Sequence, residues 1–308
     1  MLRGPRPNHA FSQGGRPVWR VLEVTVPVFA VILVGYLYAR FRPTDMAVAN
    51  RLNVHLFVPA LLFFVLSEKL PAASALAGPA LGAAVVVLGS GLLAWPVVRL
   101  TGWSARTVVP PVMFNNSGNL GLPLAALAFG EAGLALAVVL FVVEMVLHFS
   151  VGVFLLQGRA ELGPLLRNPI LLATAAGLWA HFGDWQAPAL VRPAIEMMAD
   201  VSIPLMLVAL GIRLTDVDLS QWRVGLTGSL LCPATGLLAA WAFITLAGLT
   251  GMQAGLLWLF GALPPAVLNY ILAEHYQRGP AEVASIVVLG NAAALVTIPV
   301  VLYFVLPG

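Results

Sequence analysis

The 308-residue chain is 60% hydrophobic and only 9% charged, with a mean hydropathy of +0.94. This composition leaves no room for a soluble domain and predicts an all-α polytopic membrane protein. The pI of about 9.4 comes from arginines spread along the chain, without the basic cluster that nucleic-acid binding needs. A single cysteine, Cys232, excludes an intramolecular disulfide and a cysteine-rich metal site.

Apolar segments follow one another along the chain with short connections between them. At roughly 20 apolar residues per membrane span, about ten helices are predicted. They cover residues 21–41, 50–68, 76–98, 106–129, 132–156, 168–183, 190–212, 221–247, 252–275 and 282–305. Residues 1–20 are rich in Gly, Pro and Asn and are expected to form a disordered tail. The long apolar run that follows the tail is not typical of a signal peptide.

The fourth predicted helix is interrupted by the sequence Asn-Asn-Ser-Gly-Asn-Leu-Gly-Leu-Pro at residues 115–123. Polar residues and helix breakers at membrane depth are tolerated only where the backbone is packed in protein or lines a wet cavity. In secondary transporters, such interruptions expose helix ends that bind substrates and ions. The alternative is close packing of neighbouring helices through small residues. Because three asparagines within five residues exceed what packing requires, we interpret this stretch as a site.

The ninth predicted helix is also interrupted, by the double proline Pro264 and Pro265, with Asn269 one turn further on. A double proline removes two backbone donors and pushes the preceding residue out of helical geometry. Two interrupted helices at corresponding places in two halves indicate a transport site. The alternative is a pair of proline kinks that serve gating or packing.

Proline and glycine positions recur along the chain at a nearly constant offset. A proline followed eight residues later by a glycine occurs at Pro27 and again at Pro169, which is 142 residues further on. A second pair of prolines, Pro59 and Pro204, is separated by 145 residues. The ordered set of matches indicates an internal repeat.

The repeat divides the chain into two five-helix halves, residues 21–157 and 165–306. Because five is odd, the second half must enter the membrane inverted relative to the first, which is a common plan of secondary transporters. Carried forward, the offset places the interruption at residues 116–118 opposite the double proline of the ninth helix. The same offset places Glu144 of the fifth helix opposite Asn291 of the tenth.

Ionisable residues in the middle of predicted spans are few. Glu144 and His148 are four residues apart and therefore share a helix face, and Asp200 lies near the middle of the seventh helix. Intramembrane charges mark pathways and proton relays by default. The Glu144 and His148 pair is interpreted as a relay or substrate contact, with a neutral structural pair as the main alternative and a metal site as a minor one. For Asp200, a functional role and a position near a helix end are weighed evenly.

The arginines predict the orientation in the membrane. One set of alternate connections holds only Lys69 and Arg192, whereas the opposite set holds ten arginines. These are Arg40, Arg42, Arg51, Arg99, Arg106, Arg159, Arg167, Arg213, Arg223 and Arg278. We therefore expect both termini outside and the odd-numbered loops in the cytoplasm. Arginines in the N-terminal tail argue the other way, and the larger count decides.

The chain resembles the auxin efflux carrier family, the bacterial relatives of plant PIN proteins. Residues 116–123 are similar to the family's Asn-Thr/Ser-Gly-x-x-Gly-x-Pro motif in the fourth helix. Residues 265–276 resemble the ninth-helix motif, residues 203–214 the seventh, and residues 58–63 the second. The resemblance covers the chain from about residue 21 to its end.

This resemblance implies ten helices in two inverted five-helix repeats, as in the bile acid sodium symporter superfamily. Helices 1, 2, 6 and 7 would form a scaffold, and helices 3–5 and 8–10 a core with helices 4 and 9 broken and crossed. Family members carry small organic anions. One departure is Gly290-Asn291, where many relatives have Ser-Thr, so a contact expected there is in doubt. The short link at residues 157–167 also leaves no long regulatory loop.

The sequence thus predicts a secondary transporter that moves a small organic anion, expected to be a carboxylate, by alternating access. A channel using the same broken helices is the nearest alternative. A polytopic membrane enzyme is disfavoured, because the chain lacks His-Glu-x-x-His and Gly-x-Ser-x-Gly motifs. Since no Arg or Lys lies clearly in mid-span, a weakly charged or neutral substrate stays an alternative.

The expected partners are this organic anion and the lipid bilayer of the cell membrane, with a homodimer left open and nucleic acid excluded. No cofactor or metal is expected apart from a coupling proton or sodium ion. The predicted substrate-binding residues are Asn115, Asn116, Ser117, Gly118, Asn119, Pro123, Pro264, Pro265 and Asn269. The predicted coupling residues are Glu144, His148, Asp200 and Asn291.

Overall fold

The computed structural model describes residues 17–159, 163, 167–215 and 220–306. In these residues the regular structure is helical, and strand-like pairing is limited to one antiparallel bridge between Asn115 and Pro265. Residues 1–16 of the predicted disordered tail lie outside the described residues. Residues 17–20, which were assigned to that tail, instead form the first turn of the first helix.

The helices are numbered here in chain order, with a and b for helices that continue across an interruption. They are α1 (Pro17–Phe41), α2 (Ala47–Glu68), α3 (Ala77–Thr101), α4a (Ala105–Met113), α4b (117–129), α5 (131–157), α6 (Pro169–Phe182), α7 (Arg192–Arg213), α8 (Trp222–Ala247), α9a (Gly251–Ala262), α9b (Val267–His275) and α10 (Pro280–Val305). The helices α4b and α5 meet at Gly130, whose φ of 69° and ψ of −160° are available to glycine and interrupt the helical path.

Seven helical stretches of the described chain are long and apolar enough to cross a membrane. They are α1, α2, α3 with the short turn before it, the 41-residue run that contains α4b and α5, α7, α8 and α10. The helix α6 is apolar but shorter. The prediction of an all-helical, multi-pass membrane protein is therefore confirmed.

The helices pack in two groups. In the first, α1 packs on α7, and α2 packs on both α6 and α7. In the second, α8 packs on α3, α9a and α10, and α3 also packs on α4a. Buried side chains of α5, including Phe141 and Met145, join a cluster with Leu62 of α2 and Met206 of α7. The helix α5 thus lies where the two groups meet.

Two glycines allow the helices of the first group to approach closely. A Cβ atom on Gly35 of α1 would collide with the backbone carbonyl of Val208 in α7. A Cβ atom on Gly177 of α6 would lie 3.3 Å from the backbone of Phe63 in α2 and 2.9 Å from the Leu66 side chain. Small residues at such points let helix backbones pack tightly in a membrane.

Candidate functional site

The chain leaves helical geometry between α4a and α4b, at residues 114–116, and between α9a and α9b, at residues 263–266. The two stretches run antiparallel and pair through their backbones. The N–H of Asn116 donates to the carbonyl of Pro264 at 2.7 Å, and the N–H of Ala266 donates to the first stretch at 3.0 Å. We call this paired unit the crossing. It satisfies backbone groups that an interrupted helix would otherwise leave without partners.

Two asparagine side chains hold the crossing together. Asn115 donates its amide N–H to the carbonyl of Phe260, in α9a, at 2.7 Å. Asn269, in α9b, donates to the carbonyl of Phe114 at 2.8 Å. Each amide therefore bonds a carbonyl that belongs to the other interrupted helix. The carbonyls at the end of a helix lack intrahelical partners, so these bonds satisfy them.

Glu144 binds the beginning of α4b. Its side chain is only 2% exposed. One carboxyl oxygen accepts the backbone N–H of Asn115 at 2.5 Å, and the other accepts the hydroxyl of Ser117. The carboxyl of α5 thus satisfies two donors of the first interrupted helix.

Asn291 of α10 connects the two stretches of the crossing. Its amide N–H groups donate to the carbonyl of Pro265 at 3.0 Å and to that of Val287 at 2.8 Å. Its oxygen accepts the side-chain N–H of Asn116 at 2.9 Å. Glu144 and Asn291 therefore touch the same structural unit from opposite halves of the chain.

His148 lies one helical turn beyond Glu144 and is 2% exposed. Its ring stacks on Phe114, with centroids 4.0 Å apart and an angle of 6° between the planes. Its Nε2 atom has no hydrogen-bond partner among the described residues, and neither do the side-chain oxygens of Asn115 and Asn269. Buried polar atoms without partners are costly and tend to mark functional sites.

A cleft of about 260 Å³ lies against the crossing. Its polar lining includes residues 115–119, Glu144 and His148, together with Asn53 of α2 and Arg213 of α7. The rest of the lining is largely apolar, with a few further polar side chains. It is formed by Asn50, Val54, Val58, Phe141, Met145, Phe149, Asn168, Ile170, Met206, Ala209, Leu210, Ala266, Val267, Leu268 and Ile271.

The structure brings most of the predicted site residues together, but some of them line the cleft and others are buried at the crossing. Residues 115–119, Glu144 and His148 line the cleft. The side chains of Asn269 and Asn291 are buried and bond the crossing. Pro123 lies in α4b, directly after the π-helical turn. The carbonyls of Pro264 and Pro265 accept hydrogen bonds at the crossing. The side chain of Asp200 is exposed and lies outside the cleft.

Four polar residues of the cleft were not among the predicted site residues, namely Asn50, Asn53, Asn168 and Arg213. They lie near helix ends, where polar residues are ordinary in a membrane protein, so their types alone carried no signal. The one available signal was the position of Arg213 inside the seventh-helix motif at residues 203–214.

A chain whose described residues form apolar helices, with paired non-helical backbone between some of them, has the features of a membrane transport protein. The chain belongs to the membrane transport protein family, whose model matches residues 20–165 and 161–302. The resemblance to auxin efflux carriers is thereby confirmed.

Similar proteins are known from bacteria and archaea. A putative malonate transporter of Rhizobium meliloti is 25% identical, over 94% of this chain and 97% of its own length. An uncharacterized transporter of Methanocaldococcus jannaschii is 21% identical, over 90% of this chain and 96% of its own. A further uncharacterized transporter, from Methanothermobacter thermautotrophicus, is 25% identical over 90% and 96% of the two chains.

Proposed function

We propose that the protein is a secondary carrier that moves a small carboxylate across the cell membrane by alternating access. The observation that carries this proposal is the cleft, because the first turn of α4b, with Gly118 and Asn119, faces it directly. The N-terminus of a helix presents free N–H groups and partial positive charge, both of which suit a carboxylate. The half-buried side chain of Asn119 adds an amide donor.

The other asparagines of the site have a different part in this proposal. The side-chain N–H groups of these asparagines are already used, because Asn115 bonds Phe260, Asn116 bonds Asn291 and Asn269 bonds Phe114. They would hold the shape of the site, while Gly118 and Asn119 contact the carboxylate. The unpartnered oxygens of Asn115 and Asn269 would coordinate sodium, if sodium is the coupling ion.

Ten spans in two inverted repeats form the framework of this proposal, and helix contacts support it. Gly35 packs against Val208, and Gly177 packs against Phe63. The glycines are 142 residues apart and their partners are 145 residues apart. The first contact joins α1 to α7 and the second joins α6 to α2. Two halves related by a pseudo-twofold axis would produce such reciprocal contacts.

A second pair of contacts recurs inside the two halves. Gly91 of α3 packs against Met113 at the end of α4a, and Gly236 of α8 packs against Gly261 near the end of α9a. The offsets are 145 and 148 residues. A glycine of the preceding long helix therefore packs against the chain just before each interruption, as a repeat would require.

Contacts between connections support the alternating topology. Arg192 at the start of α7 pairs with Glu68 at the end of α2 at 2.7 Å, and Lys69 pairs with Glu131 at the start of α5 at 3.0 Å. In the proposed topology, these even-numbered connections share one side of the membrane. The positive-inside rule assigns the opposite, arginine-rich side to the cytoplasm and both termini to the outside.

The cleft faces the arginine-rich side in this topology. Asn53 lies near the start of α2, Asn168 precedes α6 and Arg213 ends α7, and all three line the cleft. The conformation would therefore be inward-facing. Helices α1, α2, α6 and α7 would form the scaffold, and the remaining helices, with the crossing, would form the core that moves against it.

Coupling is assigned to Glu144 and His148. Both lie beside the crossing, and Glu144 is the carboxyl that bonds α4b directly. A proton on this carboxyl would change its bonds to Asn115 and Ser117, and thereby the start of α4b. Sodium bound by amide oxygens and carbonyls of the crossing is the alternative coupling ion.

The choice of a carboxylate is also supported by the Rhizobium relative, whose name specifies malonate. Malonate is therefore the first probe for transport. Liposomes containing the purified protein and unlabelled malonate should take up labelled malonate by exchange, saturating with concentration. Protein-free liposomes provide the control. Flux that rises linearly and is indifferent to malonate inside would indicate a channel, and no flux with any small carboxylate would contradict the proposed function.

A further inference from the structure

Within the described chain, one guanidinium group lines the cleft, and it belongs to Arg213. The side chain of Arg213 is half-buried at the C-terminal end of α7. The ion pairs of the described residues do not include it. Its guanidinium instead lies over the ring of Tyr270, 5.2 Å from the centroid. A half-buried cation that faces a cleft and has no carboxylate partner among the described residues can accept an anionic ligand.

Asn53 faces the same cleft from α2. Its side chain is 5% exposed, and its oxygen is without a partner among the described residues. Asn53 also begins a π-helical turn, Asn53–Phe57. Such turns inside longer helices occur frequently at functional sites. The side chain of Asn53 therefore places at the cleft a buried oxygen without a partner among the described residues, and the NH2 of the same amide is the donor that an anion would need.

These two residues lie away from the crossing along the cleft. Met206, Leu210 and Arg213 are spaced to share one face of α7, and all three line the cleft. At 1.5 Å of rise per residue, Arg213 lies about 10 Å along α7 from Met206. Met206 belongs to the buried cluster that also contains Leu122 of α4b. The cleft thus has an amide-rich end at the crossing and a cationic end near Arg213, with apolar side chains along the helix face that connects them.

We propose that Arg213 and Asn53 form a second anion subsite, which binds the other carboxylate of a short dicarboxylate. This inference rests on the proposed function, because the first carboxylate is the one placed at Gly118 and Asn119. A short dicarboxylate with a hydrogen bond of about 3 Å at each end has a length of the same order as the rise of about 10 Å along α7 from Met206 to Arg213. A guanidinium suits this second group because it binds carboxylates with two parallel N–H donors.

Charge gives the reason for selectivity. A dicarboxylate brings two negative charges into a partly apolar cleft that also contains the carboxyl of Glu144. A carboxylate that loses its water without a cation or donors in exchange is strongly disfavoured. Arg213 compensates the second charge, whereas a monocarboxylate of equal length would leave Arg213 unpaired. The subsite therefore favours dicarboxylates over monocarboxylates.

The test compares ligand classes on one variant. Binding of malonate and succinate, and of acetate and propionate, is measured on the purified full chain by ligand-induced thermal stabilisation. The wild-type protein should bind the dicarboxylates more tightly, by roughly tenfold or more, as expected for charge-assisted hydrogen bonds. Arg213→Gln should remove most of this preference and leave monocarboxylate binding nearly unchanged. Asn53→Leu should reduce the preference by a smaller factor.

Arg223→Gln is the matched control, because it removes one positive charge near the same side of the membrane from an exposed arginine that stacks on Trp222 outside the cleft. Its preference should equal that of the wild type. Arg213→Lys keeps the charge without the two parallel donors, so it should fold if the glutamine variant does not and should show an intermediate preference. Equal weakening of both ligand classes, or an unchanged preference in both Arg213 variants, would overturn the subsite. Wild-type protein that binds no carboxylate of either class would instead overturn the proposed function.

Discussion

The two interrupted helices follow paired backbone paths but carry different chemistry. In the fourth helix, Asn115 keeps its N–H, and that N–H and the Ser117 hydroxyl both donate to Glu144. In the ninth helix, Pro265 has no N–H, and its carbonyl accepts from the amide of Asn291. The first interruption therefore needs an acceptor beside it, and the second needs a donor.

This difference explains why a carboxyl lies beside the first interruption and an amide beside the second. A carboxylate can only accept hydrogen bonds, whereas an amide can donate. Glu144 suits the donors of the first interruption, and Asn291 suits the carbonyl of the second. Since only Glu144 can change its charge, a symmetrical backbone arrangement would have a proton-sensitive half and an insensitive half. Substitutions at the two interruptions and at Glu144, Asn291 and His148 separate the acceptor role of Glu144 from the donor role of Asn291.

Replacing Pro264 and Pro265 with Ala should abolish transport. Two restored N–H donors would let α9a continue into α9b, and the backbone pairing with residues 114–116 would be lost. Malonate exchange in liposomes should fall to the protein-free background while the protein still inserts. Pro96→Ala is the matched control, because Pro96 lies exposed in α3. Normal exchange by the double variant would show that the prolines serve packing only.

Asn291→Asp should destabilise the protein by about 1–3 kcal/mol, the usual cost of an unsatisfied buried group. The new carboxylate would face the carbonyls of Pro265 and Val287, to which the amide now donates. The unfolding temperature in detergent measures the effect, and exchange should decline with it. Asn168→Asp is the control, since that side chain accepts from the N–H of Ile170 and an aspartate can do the same. Equal stability of the two variants would contradict the assigned donor role.

Glu144→Gln should separate coupling from binding. A glutamine can keep one of the two accepted hydrogen bonds but cannot carry or release the proton. Malonate binding and exchange between equal pools should persist, whereas accumulation driven by a pH gradient should disappear. Undiminished pH-driven accumulation, or uptake that requires sodium and ignores pH, would remove Glu144 from the coupling mechanism.

His148→Gln should have the smallest effect. His148 stacks on Phe114 beside Glu144, and its Nε2 atom has no partner among the described residues by hydrogen-bond geometry, so it is placed to pass a proton on. Accumulation driven by pH should slow by several-fold, and binding should be unchanged. Phe149→Leu, a change in a neighbouring cleft side chain that cannot titrate, serves as the control. Loss of binding in the His148 variant alone would indicate a direct substrate contact.

The sequence predicted the membrane class and the all-helical architecture, and it identified the helix breakers that lie at the crossing. Helix breakers inside apolar runs have few explanations, so residues 115–123 and the double proline of the ninth helix could be identified without a structure. The sequence also paired Glu144 with Asn291, and the structure places both against the crossing.

Other features depended on three-dimensional packing and could not be predicted. The amides of Asn115 and Asn269 donate across the crossing, and a sequence gives no partner for an amide. The position of Arg213 at the cleft follows from how α7 packs beside α2 and α4b, since the residue type alone suits any helix end. The prediction for Asp200 used its position along α7, and the structure turns its side chain to the exposed face.

Substrate binding at the crossing can be tested by measuring whether substrate protects a single cysteine there from chemical labelling. The native Cys232 is buried and is replaced by Ala, after which Asn119→Cys and Arg42→Cys are made separately. Arg42 is exposed in the connection between α1 and α2 and provides the control. Malonate should slow maleimide labelling at position 119 and leave labelling at position 42 unchanged. Half-protection should occur near the malonate concentration that half-saturates exchange. Labelling at position 119 that is indifferent to a carboxylate the protein demonstrably exchanges would contradict substrate binding at the crossing.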